Sequence, residues 1–221
     1  MLPSHCVCNA PCNISHALSC PTGGIPSIRH NELRDSLASL MDEVSSDVTI
    51  KPELQPLANE GFAGRTTSRD DGARREIAAT GFWGCGSQRA FFDVRVFNPC
   101  AQSFRFLTLK SAYLCNEQEK TRKYQQRVCE IEHRSLMPLV FTTAGGMGKA
   151  ATVFIKRLAN KIARKHQEPY SGTIDWLRTI ISLALLRLAF SALRGTRKLG
   201  IRPFQLPSVM LATHEGRVHR T

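Results

Sequence analysis

The sequence is poor in acidic residues. Eighteen Asp and Glu stand against 30 Lys and Arg, so the formal net charge is +12 and the pI is near 9.7. The excess is uneven, because the segment from Lys156 to Arg202 has eleven basic and two acidic residues and contributes +9 of the total. A positive surplus of this size indicates a polyanionic partner, for which nucleic acid is the first candidate.

The sequence also lacks a secretion signal and a long uncharged apolar run. Neither a basic n-region nor an apolar h-region stands at the start, so we expect an intracellular, nuclear or cytoplasmic protein with reduced cysteines. The most apolar stretch, Ile180 to Leu193, is interrupted by Arg187, which leaves fewer than the roughly 18 uncharged residues that a spanning helix needs. We therefore predict a packing helix and no membrane partner; the alternative is a membrane-surface protein that uses its basic helices.

Composition limits the class of protein. With 42% hydrophobic and 22% charged residues, the chain is neither wholly disordered nor a multi-span membrane protein, and no internal repeat is visible. Its 221 residues suit one main domain with a small appendage. The predicted division is a cysteine-rich segment at 1–24, a main domain at 25–166, a basic helical segment at 167–202 and a tail at 203–221.

Hydrophobic periodicity predicts an α/β or α+β domain around one small mixed sheet. The glycines at 84 and 86 suit a hairpin connection between two central strands. The predicted elements, in order, are a helix at 31–44, an edge strand at 47–57, strands at 76–82 and 89–97, a helix at 116–133, a strand at 138–143, and helices from 149 and at 173–193.

Four of the eight cysteines fall within the first twenty residues. Cys6 and Cys8, followed by His16 and Cys20, offer four soft or borderline ligands that could surround one tetrahedral Zn²⁺. Cys12 is a fifth candidate, and a cysteine-rich loop without metal is the alternative. The other cysteines show no metal-type pairing and are expected to be incidental thiols.

The predicted hairpin carries charged residues on one face. Because residues i and i+2 of a strand share a face, Asp93 and Arg95 project together, away from the apolar side chains between them. Glu76 begins the partner strand, so hairpin pairing could bring its carboxylate close to Asp93. Two carboxylates suit Mg²⁺; the alternative is a solvent-facing strand with an Asp–Arg pair.

Two common phosphate or acyl chemistries are excluded by their missing motifs. There is no Gly-x-Ser-x-Gly, and the loop from Gly145 to Lys149 lacks both the first Gly and the hydroxyl residue of a Walker A motif. We expect a strand-to-helix turn there that touches a backbone phosphate at the helix N-terminus. Lys120 and Tyr124, four residues apart, share a helical face and could approach a phosphate together, or could belong to a solvated face.

Taken in order, the cysteine–histidine cluster and five short motifs resemble one family: the restriction-enzyme-like endonuclease region found C-terminal to the reverse transcriptase of site-specific non-LTR retrotransposons. In that family a zinc knuckle precedes an Arg-His motif, a nuclease core and a Lys-x3-Tyr. The motifs that carry the resemblance are Arg29-His30-Asn31, Lys51-Pro-Glu-Leu-Gln55, Asp71-Gly-Ala-Arg-Arg-Glu76, Phe92-Asp-Val-Arg95 and Lys120-x3-Tyr124.

The resemblance spans about residues 6 to 165 and implies the PD-(D/E)XK nuclease fold, a central mixed sheet flanked by helices. It implies cleavage of DNA with Mg²⁺ or Mn²⁺ bound by Glu76 and Asp93, and structural Zn²⁺ at the knuckle. Arg95 stands where the family has Lys, and Lys120 and Tyr124 match its downstream pair. The nucleic-acid-binding residues are then expected to be Arg29, His30, Lys149, Lys156, Arg157, Lys161, Arg164 and Lys165.

The expected function is therefore a metal-dependent, DNA-nicking endonuclease-like domain derived from a retrotransposon, with DNA or the RNA of the same element as partner. Two departures favour a second reading. Glu76 follows Arg where the family has Pro-Asp, and Arg95 cannot lose a proton to act as a base. The alternative is a non-catalytic nucleic-acid-binding remnant of the element. Reverse transcriptase motifs are absent, which is expected of a detached fragment.

Overall fold

Helices and strands alternate along the chain much as the hydrophobic pattern predicts. The computed structural model describes residues 4–22, 24–52, 76–83, 88–125, 128 and 135–194. The elements are α1 (Ile14–Ser19), α2 (Ile25–Asp42), β1 (Ser46–Ile50), β2 (Ile77–Thr80), β3 (Arg89–Phe97), a 3₁₀ turn (Gln102–Phe104), α3 (Leu109–Gln125), β4 (Ser135–Thr142), α4 (Lys149–His166) and α5 (Tyr170–Arg194).

The four strands form one mixed sheet in the order β1-β2-β3-β4. The first three are antiparallel neighbours, and β3 and β4 run parallel. Residue Ile77 pairs with Phe92, so β2 and β3 form the predicted antiparallel pair. The predicted mixed sheet and the edge position of β1 are confirmed, while residues 53–75, which carry most of the motifs at 51–55 and 71–76, lie outside the described residues.

Helices cover both faces of the sheet. A parallel pair such as β3 and β4 needs a crossover connection, and α3 provides it over one face. The opposite face packs against α2, α4 and α5. Since strand residues alternate between faces, Asp93, Arg95 and Phe97 look toward α3, while Phe92 and Val94 look toward the other helices.

The main core lies between the sheet and α2, α4 and α5. Its centre is a group of three rings: Phe82 stacks on Phe154 with ring centroids 5.0 Å apart, and Phe92 meets Phe82 edge-on at 5.2 Å. Fully burying such side chains stabilises the fold by roughly 1.5–3 kcal/mol each. Aliphatic residues of all three helices surround them, among them Leu33, Leu37, Met41, Leu158, Leu177, Ile181 and Leu185.

Two helices begin earlier than the periodicity predicts. Helix α2 starts at Ile25 because Gly24, at φ 72°, makes the left-handed turn and Pro26 occupies the first turn, where its missing N–H costs nothing. Helix α3 starts at Leu109 because the hydroxyl of Thr108 accepts the N–H of Ser111 at 3.1 Å. The capping residues, rather than the apolar pattern, set these ends.

Helix α5 belongs to the main core. Leu177 and Leu185 are fully buried against the sheet-facing helices, so residues 170–194 pack with the main domain. Among the described residues, the segment Tyr170–Leu193 is long and apolar enough to cross a membrane by length and composition alone, and 39% of its apolar stretch lies inside the protein. The predicted tail at 203–221 lies outside the described residues.

Candidate metal centre and carboxylate cluster

Four potential metal ligands converge at the N-terminus. The Sγ atoms of Cys6, Cys8 and Cys20 and a ring nitrogen of His16 all lie within 4.8 Å of one another. The Sγ of Cys20 is 3.7 Å from that of Cys6 and from that of Cys8, and the Sγ of Cys8 is 3.3 Å from Nε2 of His16. The four residues that the sequence predicted as zinc ligands thus lie together.

These separations fit the edges of a zinc tetrahedron. With Zn–S bonds of about 2.3 Å, two sulfur ligands of a tetrahedral ion stand about 3.8 Å apart, and the sulfur–nitrogen edge is slightly shorter. The group is therefore a Cys₃His set that could bind zinc. Cys12 is not part of it, which removes the ambiguity of a fifth candidate.

Local backbone geometry places the four ligands. A tight turn brings Cys6 back toward Ala10, whose carbonyl accepts the Cys6 N–H at 2.9 Å. Asn13 then caps α1 by accepting the N–H of His16 at 2.8 Å. Cys20 ends the helix, and its N–H donates to the His16 carbonyl at 2.7 Å. One turn of helix thus sets the last two ligands on the same face.

The thiols crowd one another. A backbone hydrogen bond at Ala10 lowers the pKa of Cys8, but desolvation and the neighbouring thiols of Cys6 and Cys20 raise it by more, so the net pKa is above the ordinary value. Thiols so close together disfavour one another's ionisation, and a bound Zn²⁺ removes that conflict because it takes the thiolate form.

The knuckle is docked on the main domain by hydrogen bonds, two of which are partly buried. Arg29 of α2 is 2% exposed and donates from Nη1 to the Leu18 carbonyl at 3.1 Å. Burial lowers the pKa of Arg29 to about 10. Asn98, after β3, donates to the Ser19 hydroxyl at 2.9 Å, and the Ser15 hydroxyl donates to the Cys100 carbonyl at 2.9 Å. Arg29, expected to bind nucleic acid, instead joins α2 to the knuckle.

A second cluster of charged residues lies between the sheet and α3. The ammonium of Lys120 is 2.8 Å from Oδ2 of Asp93, and Asp93 is only 2% exposed. Buried charges are costly unless paired, so this contact fixes α3 against β3. The predicted solvated face for Lys120 and Tyr124 is wrong, because Tyr124 is 5% exposed and the Lys120 ammonium lies 5.6 Å from its ring centre.

Glu76 forms the other half of the carboxylate cluster. Its Oε2 is 2.8 Å from Nε2 of His30 and 3.6 Å from Nη1 of Arg34. Burial raises the pKa of Glu76, but the hydrogen bond and charge of His30 and the charges of Arg34 and Lys120 lower it by more, so the pKa lies below its ordinary value. The carboxylate is therefore held ionised.

The sheet register relates the two carboxylates. Ile77 pairs with Phe92, so the preceding Glu76 continues the register opposite Asp93, and its carbonyl accepts the Lys51 N–H at 3.0 Å. Directly opposed residues of an antiparallel pair share a face. Extending the register by one residue puts Glu76 on the sheet face of Asp93, and Lys120 both pairs with Asp93 and lowers the pKa of Glu76.

Arg95 lies apart from this cluster. Its Nη1 contacts Oε1 of Glu119 at 3.4 Å, in a pair that is about one-third exposed on the Arg95 side. The sequence places Arg95 where the resembled family has a lysine, but here the cation on Asp93 is Lys120. The cause is the strand rise, which carries Arg95 about 7 Å along β3 from Asp93.

Arg34 is a cluster residue that the sequence patterns did not reveal. It is nearly buried, it contacts Glu76, and its Nη1 donates to Oδ1 of Asn31 at 2.8 Å. Its spacing of four from His30 puts both on one face of α2, and that spacing is the signal that could have found it.

The basic residues of α4 do not surround the carboxylates. Lys161 donates to the carbonyls of Val44 and Gly81 at 3.4 and 2.9 Å, Lys165 to that of Glu43 at 2.6 Å, and Arg157 to that of Phe82 at 3.4 Å. An open groove of about 520 Å³ lies there; its lining includes Arg157, Asn160, Lys161, Arg164 and Lys165. The exposed Lys149 and Lys156 lie outside this groove's lining.

This basic groove is remote from Glu76. Two of its lining residues, Lys161 and Arg157, bind the carbonyls of Gly81 and Phe82, which follow β2, whereas Glu76 precedes that strand. The groove also lies on the α4 side of the sheet, whereas Asp93 faces α3. The structure therefore separates the groove residues Arg157, Lys161, Arg164 and Lys165 from the predicted catalytic residues, whereas His30, also predicted to bind nucleic acid, contacts Glu76.

The glycine-rich loop before α4 is closed by α3. The Ala150 N–H donates to Oε1 of Glu117 at 3.2 Å, so a carboxylate occupies the helix N-terminus where we expected a backbone phosphate. A Cβ at Gly148 would collide with the same Glu117 oxygen, and one at Gly146 with the Tyr113 hydroxyl. The glycines allow close packing of α3.

No protein-family model matches this chain, and no curated protein matches it.

Proposed function

We propose that this chain is a metal-dependent endonuclease domain, of retrotransposon origin, that nicks DNA and carries an N-terminal zinc knuckle. The observation that carries the proposal is the Lys120 ammonium 2.8 Å from the buried Asp93 carboxylate, on the sheet face that Glu76 shares. Buried charged groups gathered from separate elements, one of which, Glu76, has a lowered pKa, are typical of functional sites.

The donor set fits a hard divalent cation. Mg²⁺ is usually bound by one or two carboxylates and keeps several waters, and Glu76 and Asp93 supply two carboxylates, one of them held ionised by His30 and Arg34. Bound there, Mg²⁺ or Mn²⁺ would supply stabilisation of negative charge at a phosphate and a more acidic water.

The chain's own residues supply the other requirements. Lys120 offers a compact ammonium that can donate to a non-bridging phosphate oxygen when it leaves Asp93. His30 and Arg34 hold Glu76 as an acceptor. Tyr124 packs beneath the ammonium and limits its movement. Arg95, paired with Glu119, takes no part in this proposal.

The test is a nicking assay on supercoiled DNA with Mg²⁺ or Mn²⁺. We expect Asp93→Asn to abolish nicking while DNA affinity changes by less than about threefold, because the carboxylate is needed in the transition state more than for binding. The matched control is Asp175→Asn, an exposed carboxylate of α5. Equal nicking by wild type and Asp93→Asn would place the site elsewhere.

DNA binding itself has a separate signature. If the basic helices neutralise phosphates, log affinity should fall with log salt at about −0.9 per contact. Salt-independent binding would remove the basic surface from the proposal, whatever the nicking result.

The second candidate is a nucleic-acid-binding remnant without cleavage. A specific observation favours it: Lys120, His30 and Arg34 already partner both carboxylates, so their charge is balanced without a divalent ion. Silent nicking in both Mg²⁺ and Mn²⁺, with DNA or RNA affinity unchanged by EDTA, would decide for this candidate.

A further inference from the structure

The connection between β3 and α3 presents an aromatic ring to solvent. Phe106 is 88% exposed, the highest value among the large apolar side chains that the structure describes, and Leu107 and Leu109 beside it are also exposed. Burying a phenylalanine side chain is worth roughly 1.5–3 kcal/mol, so a ring left this open forgoes that stabilisation and suits a surface that binds something.

The turn that carries the ring is well anchored. Phe104 packs against Phe97 with ring centroids 4.9 Å apart, and its N–H donates to the Ala101 carbonyl at 2.9 Å. The Leu107 N–H donates to the Phe104 carbonyl at 2.9 Å, and Thr108 caps α3 immediately afterwards. The Phe104 ring thus packs inward against Phe97, while the hydrogen-bonded turn holds the Phe106 ring in solvent.

Cations accompany the exposed ring. The Arg105 guanidinium lies 4.7 Å from the Phe106 ring centre, and Lys110 is exposed one turn away. In the part of the chain that the structure describes, neither cation has an acidic partner. An aromatic face flanked by unpaired cations has the chemistry that binds a base and its phosphate.

The position of the ring relates it to the carboxylates. Phe97, on which the turn packs, shares the sheet face of Asp93 and lies four residues away, about 13 Å along β3. The knuckle hydrogen-bonds to the same connection at Cys100. The ring thus stands on the α3 side, where the basic groove of α4 does not reach.

We propose that Phe106, with Arg105 and Lys110, is a stacking platform for an unpaired base of single-stranded DNA. The proposal rests on the proposed nucleic-acid function and names the substrate form: a strand opened or displaced beside the carboxylate cluster. Charge complementarity selects this occupant, because both flanking side chains are cationic and the chain as a whole carries +12.

The experiment measures binding of a 20-nucleotide single strand containing 2-aminopurine, by fluorescence anisotropy and by quenching of the base. Stacking is worth about 1–3 kcal/mol per base, so Phe106→Ala should weaken binding about five- to hundredfold and remove the quenching. Phe106→Trp should restore both. The matched control, Leu109→Ala, removes an exposed apolar side chain of the same connection and should change affinity less than about twofold.

Other outcomes of these measurements distinguish failure of the stacking platform from failure of the endonuclease proposal. Wild-type quenching and affinity that persist in Phe106→Ala would overturn the platform and leave the endonuclease proposal standing. Phe106-dependent binding in a protein that never nicks would support the platform and defeat the nuclease. No binding of any nucleic acid would overturn both. Loss of binding to phosphatidylserine-containing vesicles, without loss for the oligonucleotide, would show that the ring meets a membrane instead.

Discussion

The knuckle and the carboxylate cluster both gather potential metal ligands, but they balance charge differently. In the knuckle, Cys6, Cys8, Cys20 and His16 have mainly one another as neighbours, and crowding raises the pKa of Cys8. In the carboxylate cluster each acid has a cation at hand, at 2.8 Å in the case of Asp93. The first site is thus a set of ligands that could bind a metal ion, whereas the second is already a balanced ion-pair network.

This difference has a consequence for stability. A site whose ligands converge on one point gains its folding free energy from the ion, so its stability should follow zinc concentration. A network with internal counter-charges should hold without a divalent ion, and added Mg²⁺ should then affect chemistry more than folding. Four changes test this contrast.

The largest effect is expected at the knuckle. Cys20→Ala removes a buried ligand, so zinc content should fall from about one ion per chain toward zero, and the protein should lose stabilisation on the order of 10 kcal/mol of metal binding. Elemental analysis and thermal unfolding measure both quantities. Cys115→Ala, an exposed cysteine of α3, is the control and should keep its zinc. Full zinc in Cys20→Ala would remove the proposed tetrahedron.

The next effect is expected from the buried ion pair. Lys120→Met leaves the Asp93 carboxylate without its ammonium, which should lower the free energy of unfolding by about 3–5 kcal/mol in urea titrations. The double change Lys120→Met with Asp93→Leu should recover most of that loss, because no charge is then buried. Lys110→Met, on the exposed start of α3, is the control. A cost below about 1 kcal/mol for the single change would show that the pair does not stabilise the fold.

A smaller, pH-dependent effect is expected at Glu76. Because its folded pKa is lowered, its contribution is present above the ordinary carboxyl pKa and is lost as pH falls through the folded value. At pH 7, Glu76→Gln should cost about 1.5–3 kcal/mol, the value of a hydrogen bond to a charged group. Urea titrations from pH 7 to 3 should show that the difference in free energy of unfolding between Glu76→Gln and wild type shrinks as the pH falls.

The matched control for this titration is Glu119→Gln, whose carboxylate is about half exposed. Its stability difference from wild type should stay small throughout. If the difference in free energy of unfolding between Glu76→Gln and wild type also stays constant down to pH 3, then the Glu76 carboxylate is not held ionised by its neighbours.

The smallest effect is expected at Arg95. Its pair with Glu119 is partly exposed, so Arg95→Ala should cost only about 0.2–1 kcal/mol and should leave any nicking unchanged. Parallel nicking and urea measurements on the purified variant test both statements. If Arg95→Ala loses nicking while its stability is unchanged, then Arg95 takes part in cleavage. That result would weaken the proposal that Lys120 is the cation that contacts the phosphate.

Local patterns predicted the mixed sheet with its flanking helices and the Cys₃His group, while the PD-(D/E)XK fold and the magnesium ligands stay predictions. Alternation along β3 predicted that Asp93 and Arg95 share a face. The Cys-x-Cys and His-x3-Cys spacings gave the Cys₃His group, although the same pattern could not exclude Cys12. Predictions from residue spacing succeed because the periods of strands and helices determine which residues share a face.

Partners from distant elements could not be predicted in the same way. Lys120, and not Arg95, is the cation on Asp93 because of where α3 packs along β3. The spacing of residues within one helix or one strand does not contain that information. The same holds for Glu117, which occupies the start of α4 from another helix. Basic residues of α4 were predicted to bind nucleic acid, and Arg157, Lys161 and Lys165 bind backbone carbonyls of segments that follow α2 and β2.

Arg29 and His30 are consecutive residues of α2, and one holds the knuckle while the other holds Glu76. The knuckle is therefore not a detachable module. A chain shortened to begin at residue 25 would lose the Leu18 carbonyl and leave the Arg29 guanidinium without that acceptor. Removing the knuckle would therefore disturb the same turn of α2 that holds Glu76 through His30.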